Sequence, residues 1–136
     1  MKRLCWIFLG IFLIFGLAAG VSADVVKSDS LEETAITWVL DSTGTLTFSG
    51  TGRIPDYAKT ANAPRYDDNG IDIQKIVFES GITHIGSNSF YEYLTLNEIV
   101  FPETLQTIGY NAFNKCTALT KITIPENVTT IGQQAF

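Results

Sequence analysis

The sequence predicts a repeat solenoid, a stack of 23-residue units with short parallel strands, preceded by a β-hairpin N-terminal cap. Three observations predict it. Consecutive segments from Ile73 to Phe136 superimpose at one constant spacing, their apolar positions then fall into columns, and two alternating segments upstream flank a glycine-containing turn. A stack of short units buries through its neighbours what no single unit can bury alone.

Residues 1–23 read as a secretory signal peptide. Lys2 and Arg3 precede an almost unbroken apolar run from Leu4 to Leu17, and Val21-Ser22-Ala23 offers small residues where a signal peptidase would cut, before Asp24. The run is shorter than the ~20 apolar residues that span a bilayer comfortably, which favours cleavage over a retained anchor. Cys5 lies inside the run and away from the cleavage point, which argues against a lipoprotein. Removing Lys2 and Arg3 moves the formal charge from 9 − 14 = −5 to 7 − 14 = −7. An acidic mature chain repels nucleic acid and anionic membranes, so no nucleic-acid partner is expected, and membrane contact only through the signal peptide during export. Cys116 is then the one remaining cysteine, which leaves no intramolecular disulfide and a fold held by burial.

Residues 24–34 are polar and aperiodic, and are expected to form an exposed leader. Ordered structure is expected from Ala35, in a unit spanning 35–72. Ile36, Trp38 and Leu40 alternate with Thr37 and Val39, Asp41-Ser42-Thr43-Gly44 supplies a turn, and Leu46 and Phe48 alternate with Thr45, Thr47 and Ser49. That is a hairpin signal. Ser49-Gly50-Thr51-Gly52 breaks the alternation, and Pro55, Pro64 and Asn69-Gly70 mark the remainder as an irregular connection.

The repeats occupy 73–95, 96–118 and, incomplete, 119–136. Aligning Ile76, Ile99 and Ile122 gives 99 − 76 = 122 − 99 = 23. The columns Ile73/Leu96/Leu119, Phe78/Phe101/Ile124, Ile82/Leu105/Val128, Ile85/Ile108/Ile131, Gly86/Gly109/Gly132 and Phe90/Phe113/Phe136 follow. Ile76 and Phe78 alternate with Lys75 and Val77, the period of a short strand, so successive copies would form a parallel sheet. The recurrent glycine implies a position with positive φ or with no room for a Cβ, where the coil turns a corner. The small residue at Ser89/Ala112/Ala135 beside the following Phe suggests one helical turn.

The pattern L-x-x-I-x-I-P-x-x-V-x-x-I-G-x-x-A-F-x-x-C resembles the BspA-like leucine-rich-repeat family of bacterial and some protist surface proteins over residues 73–136. Pro102, Pro125 and Cys116 fall on family positions, while Ser80-Gly81 and Tyr93 depart from them in the first copy. Residues 36–57 resemble the segment that often precedes such repeats, with Arg65-Tyr66 departing from the tryptophan expected after Pro64. The resemblance implies a leucine-rich-repeat stack and attachment to host proteins, other cells or extracellular matrix.

No constellation for catalysis stands out, and neither catalytic, metal nor cofactor sites are expected. His84, the only histidine, shares a column with Thr107 and Thr130 and reads as solvent-facing. Cys116 reads as a half-buried structural thiol. A calcium loop ending its turn at Gly70 would need carboxylates where Arg65 and Ile76 stand, and the glycines from Ser49 to Gly52 are followed by neither a phosphate-binding Lys nor a third glycine. Asn127-Val128-Thr129 is a glycosylation sequon, relevant only in a eukaryotic secretory pathway.

The function expected is that of a secreted or cell-surface interaction module, not an enzyme, binding a protein, cell-surface or matrix ligand. The alternative is a set of targeting repeats in a larger exported peptidase or glycosidase, since the third copy stops at Phe136 before completing and the chain reads as a fragment. If Ile76 and Phe78 point inward, the outward columns are Lys75/Glu98/Lys121 and Val77/Val100/Thr123, the candidate ligand-binding surface.

Overall fold

The structure, a computed structural model, describes residues 23–31, 34–59 and 71–136. The expected signal peptide, apart from Ala23, lies outside them, as do Pro64, Arg65 and the Asn69-Gly70 pair.

Eight strands occur among the described residues: β1 (Val25–Ser30), β2 (Ala35–Asp41), β3 (Thr45–Arg53), β4 (Lys75–Phe78), β5 (Ile82–Ile85), β6 (Glu98–Val100), β7 (Thr107–Ile108) and β8 (Thr130–Ile131). β2 and β3 form the antiparallel hairpin, with Trp38 opposite Phe48 and Leu40 opposite Leu46. Its turn is fixed by the Asp41 carboxylate, which accepts the Thr43 and Thr45 N–H groups at 2.9 and 3.0 Å. Gly44 adopts a φ of 80°, and a Cβ there would lie 2.3 Å from the Asp72 carbonyl oxygen. Glycine is therefore required at this turn on both counts.

Residues 24–34 differ from expectation. Instead of a structureless leader, Val25–Ser30 forms β1, antiparallel to β2, with a register irregularity between Val25 and Lys27. Its side chains are mostly exposed, so the strand rests on backbone pairing and leaves no hydrophobic period in the sequence. Lys27 places its ammonium 5.7 Å from the Trp38 ring centroid.

Two parallel branches leave β3. The first half pairs with β4, setting Leu46 beside Ile76 and Phe48 beside Phe78. The second half, through the glycine-rich stretch expected to end the strand, pairs with β5. Gly50 and Gly52 have φ of 114° and 115°, which lets β3 bend from one branch to the other without ending. β4 continues into β6, pairing Lys75 with Glu98, Ile76 with Ile99 and Val77 with Val100. β5 continues through β7 to β8, pairing His84 with Thr107 and Thr107 with Thr130.

Between the branches lies the core, in which Ile36, Leu40, Leu46, Phe48, Ile54, Ile76, Phe78, Ile82, Ile85, Phe90, Leu96, Leu105, Ile108 and Phe113 are buried. Its aromatic rings form two interleaved ladders. Phe48, Phe78 and Phe101 stack nearly parallel at 5.3 and 5.9 Å, while Phe90, Phe113 and Phe136 stack at 5.2 and 5.6 Å. Edge contacts join the ladders, as at Phe78 and Phe90, 5.6 Å apart.

Not every rung is covered. Phe101, Ile122 and Ile124 are half-buried, and Ile131 and Phe136, expected as core, are 49% and 42% exposed. Ile108 and Phe113 cover these last two on one side only, and no further coil packs on the other among the described residues. Lys121 and Thr123 lie in irregular backbone and not in a strand.

Of the two explanations for the glycine column, the structure selects the absence of room. Gly86, Gly109 and Gly132 do not have positive φ. A Cβ on Gly86 would sit 1.8 Å from the Pro55 oxygen, and on Gly109 or Gly132 within 2.6 Å of the preceding coil's backbone. Left-handed backbone occurs two residues later, at Asn88, Asn111 and Gln134, with φ of 59°, 55° and 56°. Asparagine tolerates that conformation better than most residues. The expected helical turn does not form there, and the segment is a run of turns.

Candidate functional site

The outward face of β3, β4 and β6 brings most of the candidate ligand-binding residues together. Cross-strand register places Val39, Thr47, Val77 and Val100 in one row. Val77 is half-buried, while Val100, near the end of the stack, is 40% exposed. A second row contains Thr45, Lys75 and Glu98. Within it Lys75 Nζ stands 2.7 Å from Glu98 Oε1, an ion pair largely open to solvent. Such pairs add little stability and chiefly fix side-chain positions. Glu98, Lys121 and Thr123 share the rim of a shallow depression of about 380 Å³ with Asn97, Ile99 and Ile122. Lys75 and Val77 do not line it.

A second depression, about 450 Å³, lies at the corner leading into β5 and β7 and is lined by Thr83, Glu103, Thr104, Gln106, Asn127 and Thr129. Its side chains are largely committed to neighbouring coils. Thr83 Oγ1 donates to the Gly52 carbonyl at 3.1 Å, Thr104 Oγ1 to Ile82 at 2.9 Å and Asn127 Nδ2 to Glu103 at 2.8 Å. The sequon asparagine is thus part of an inter-coil hydrogen-bond ladder.

His84 is not solvent-facing as expected but 9% exposed. Its Nδ1 hydrogen-bonds Thr107 Oγ1 of the next coil, and its Nε2 lies 3.4 Å from Asp56 Oδ1 beyond the end of the hairpin. Asp56 Oδ1 also accepts the Ser87 N–H at 2.7 Å and the Ser87 hydroxyl at 2.9 Å. Burial and the Arg53 charge hold the imidazole below its usual pKa, against the opposing pull of Asp56. The Asp56 carboxyl is itself held low: burial acts to raise it, but the Ser87 bonds and His84 outweigh that effect. An acid, an imidazole and a hydroxyl in sequence resemble a hydrolytic relay in connectivity, but here each group closes a contact between coils. Arg53 stands in register with His84, but that pairing rests on a 31-residue offset that the 23-residue columns do not carry, so no sequence signal exposed this cluster.

Cys116 is buried, and its thiol donates to the Phe90 carbonyl at 3.3 Å. Burial pushes its pKa up to about 11, so it is not an activated nucleophile. At the preceding residue, Lys115 Nζ lies 2.8 Å from Glu92 Oε1 and 4.9 Å from the Tyr91 ring centroid. The Glu92 carboxylate, then Tyr91, hold this lysine above its usual pKa. No group of three or more His, Cys, Asp or Glu side chains poised for a metal occurs among the described residues. Among those residues, too, no helix is long and apolar enough to cross a membrane.

Parallel branches, inter-coil ladders and an outward strand face define the class: a leucine-rich-repeat fold. The sequence pattern described as the BspA type leucine rich repeat region (6 copies) matches residues 66–136, and the chain belongs to that family. A leucine-rich repeat protein from Eubacterium ventriosum is similar at 36% identity and a TM-score of 0.68, over 78% of this chain and 28% of its own. This chain therefore spans little more than a quarter of that protein. A leucine-rich repeat protein of T. pallidum shares 20% identity, covering 77% of this chain and 54% of its own at a TM-score of 0.45. A leucine rich cell surface protein of Faecalibacterium prausnitzii shares 16%, covering 83% and 52% at 0.42. No curated protein matches the chain.

Proposed function

We propose that the chain is a protein-binding module of a secreted or cell-surface protein, serving in adhesion. It is a stack of 23-residue units whose N-terminal end the hairpin covers. The observation that carries the reading is the row Val39, Thr47, Val77 and Val100 on the outward strand face, which ends in a valine 40% open to water. β-branched side chains suit strands in any case, but a row continuous across four strands also gives a partner a flat apolar strip. The ion-paired Lys75 and Glu98 beside it, and Lys121 and Thr123 beyond, supply a polar margin. Family membership favours the same role, and the signal-like residues 1–23 supply the route.

The test replaces Val77 with Glu and Val100 with Lys together. Circular dichroism should show an intact fold, while binding to immobilised extracellular-matrix proteins and to whole bacterial cells falls at least tenfold. Undiminished binding by the folded double variant would place the ligand surface elsewhere.

A further inference from the structure

Among the described residues the sheet ends at β1, with β2 on one side and no strand on the other. Such an edge presents backbone N–H and C=O groups ready to pair with another chain. Their direction follows from the pairing with β2. Leu31, in line with the β1 register, donates its N–H to the Ile36 carbonyl at 2.9 Å, and the pairs Asp29–Trp38 and Lys27–Leu40 follow at intervals of two. Alternate residues of an antiparallel strand turn their backbone groups to opposite edges, so those of Ser28 and Ser30 face away from β2. In agreement, the Ser30 N–H is met by the Asp29 carboxylate at 2.7 Å and not by a strand.

The order of side chains along this edge is complementary to itself. When two copies of β1 run antiparallel about Ser28, Lys27 of each stands opposite Asp29 of the other, and Val26 opposite Ser30. Ser28 then forms the hydrogen-bonded pair at the centre. The two Lys–Asp pairs fall at non-hydrogen-bonded positions, where opposing side chains come closest. Alternative registers that use the same outward groups are shifted by two residues, and they centre on Lys27 against Lys27 or Asp29 against Asp29. Like charges directly opposite are unfavourable, so one register is selected. Ser28 and Asp29 are exposed, and Lys27 is held in place over the Trp38 ring.

We propose that the chain pairs with a second copy of itself through β1, joining the two hairpins in one antiparallel sheet across a two-fold axis at Ser28. The strand is short, and the interface falls well below the ~1,600 Å² of a standard one, so the dimer is weak and reversible. Opposing residues of an antiparallel pair point to the same side of the sheet. Both outward valine rows therefore face one way. For the binding role proposed above this makes the dimer bivalent, although the pairing itself does not rest on that role.

Sedimentation equilibrium of the exported protein up to about 1 mM should show monomer and dimer in exchange. Lys27→Asp alone and Asp29→Lys alone each set two like-charged pairs face to face and should weaken the dimer at least about tenfold. The double variant, with the charges exchanged, should return to within about threefold of the parent. Ser28→Pro removes the central N–H, which β2 does not use, and should leave a folded monomer by circular dichroism. A parent that stays monomeric at about 1 mM would overturn the proposal, as would a dimer indifferent to the single changes or not restored by the exchange. Indifference would place association elsewhere, as at the last coil, where Ile131 and Phe136 are exposed. Should a single variant fail to fold, the exchanged double variant and Ser28→Pro still decide.

Discussion

In the repeats, Ile76 stands beside Ile99 and Val77 beside Val100, each partner 23 residues further on. In the hairpin, Leu46 and Phe48 stand beside Ile76 and Phe78 in the same way, yet the separation is 76 − 46 = 30 residues. It becomes 84 − 53 = 31 at the second branch, where Arg53 meets His84. β3 therefore serves as one more coil of the stack, although its sequence shows no repeat and its other edge pairs antiparallel with β2. A ladder needs side chains of the right shape at the right height, and the number of residues between rungs is free wherever the connection can leave the stack. Residues 60–70 fall within the longer interval.

If hairpin and repeat rungs are equivalent, truncating either should cost the same. Phe48→Ala and Phe113→Ala should each lower stability by ~3–5 kcal/mol in urea titrations, since both rings are buried and stacked. Phe136→Ala, with its ring 42% exposed, should cost well under half as much. A loss below ~1 kcal/mol for Phe48→Ala alone would break the equivalence.

The glycine column sharpens the comparison at the junction. An alanine Cβ at Gly86 would meet the Pro55 oxygen at 1.8 Å, against 2.6 Å to the nearest backbone atom at Gly109. Gly86→Ala should destabilise by ~1–3 kcal/mol and by more than Gly109→Ala. Equal melting temperatures for the two variants would mean the hairpin end yields as readily as a repeat. The smallest effect belongs to the exposed ion pair: Glu98→Gln should cost ~0.2–1 kcal/mol, vanishing in about 1 M salt, where the Debye length is ~3 Å.

The repeat columns were legible because stacking forces equivalent positions to be apolar in every copy, which one sequence displays three times over. Ile76, Ile85, Phe90, Ile108 and Phe113 are accordingly buried. β1 was not legible, because Val25–Ser30 is held by backbone pairing and buries almost nothing. His84 was misread because its column mates are threonines, which signal a polar environment without distinguishing water from a hydrogen-bonded neighbouring coil. On the candidate surface, the pairing of Lys75 with Glu98 followed from strand period and spacing. The extension of the valine row to Thr47 and Val39 did not, since it depends on the 30-residue offset.

One buried atom bears on how the chain would fare under the secreted or cell-surface role proposed above. Secretory compartments are oxidising, and an unpaired thiol there tends to be captured by another molecule's cysteine. At a pKa of about 11, roughly one Cys116 thiol in ten thousand is ionised at pH 7, and the buried sulfur offers an oxidant almost no approach. Tight packing of one coil on the next thus acts as a protecting group in the synthetic chemist's sense. Its removal requires opening the stack, so the rate at which Cys116 reacts with a thiol reagent is a clock for that opening.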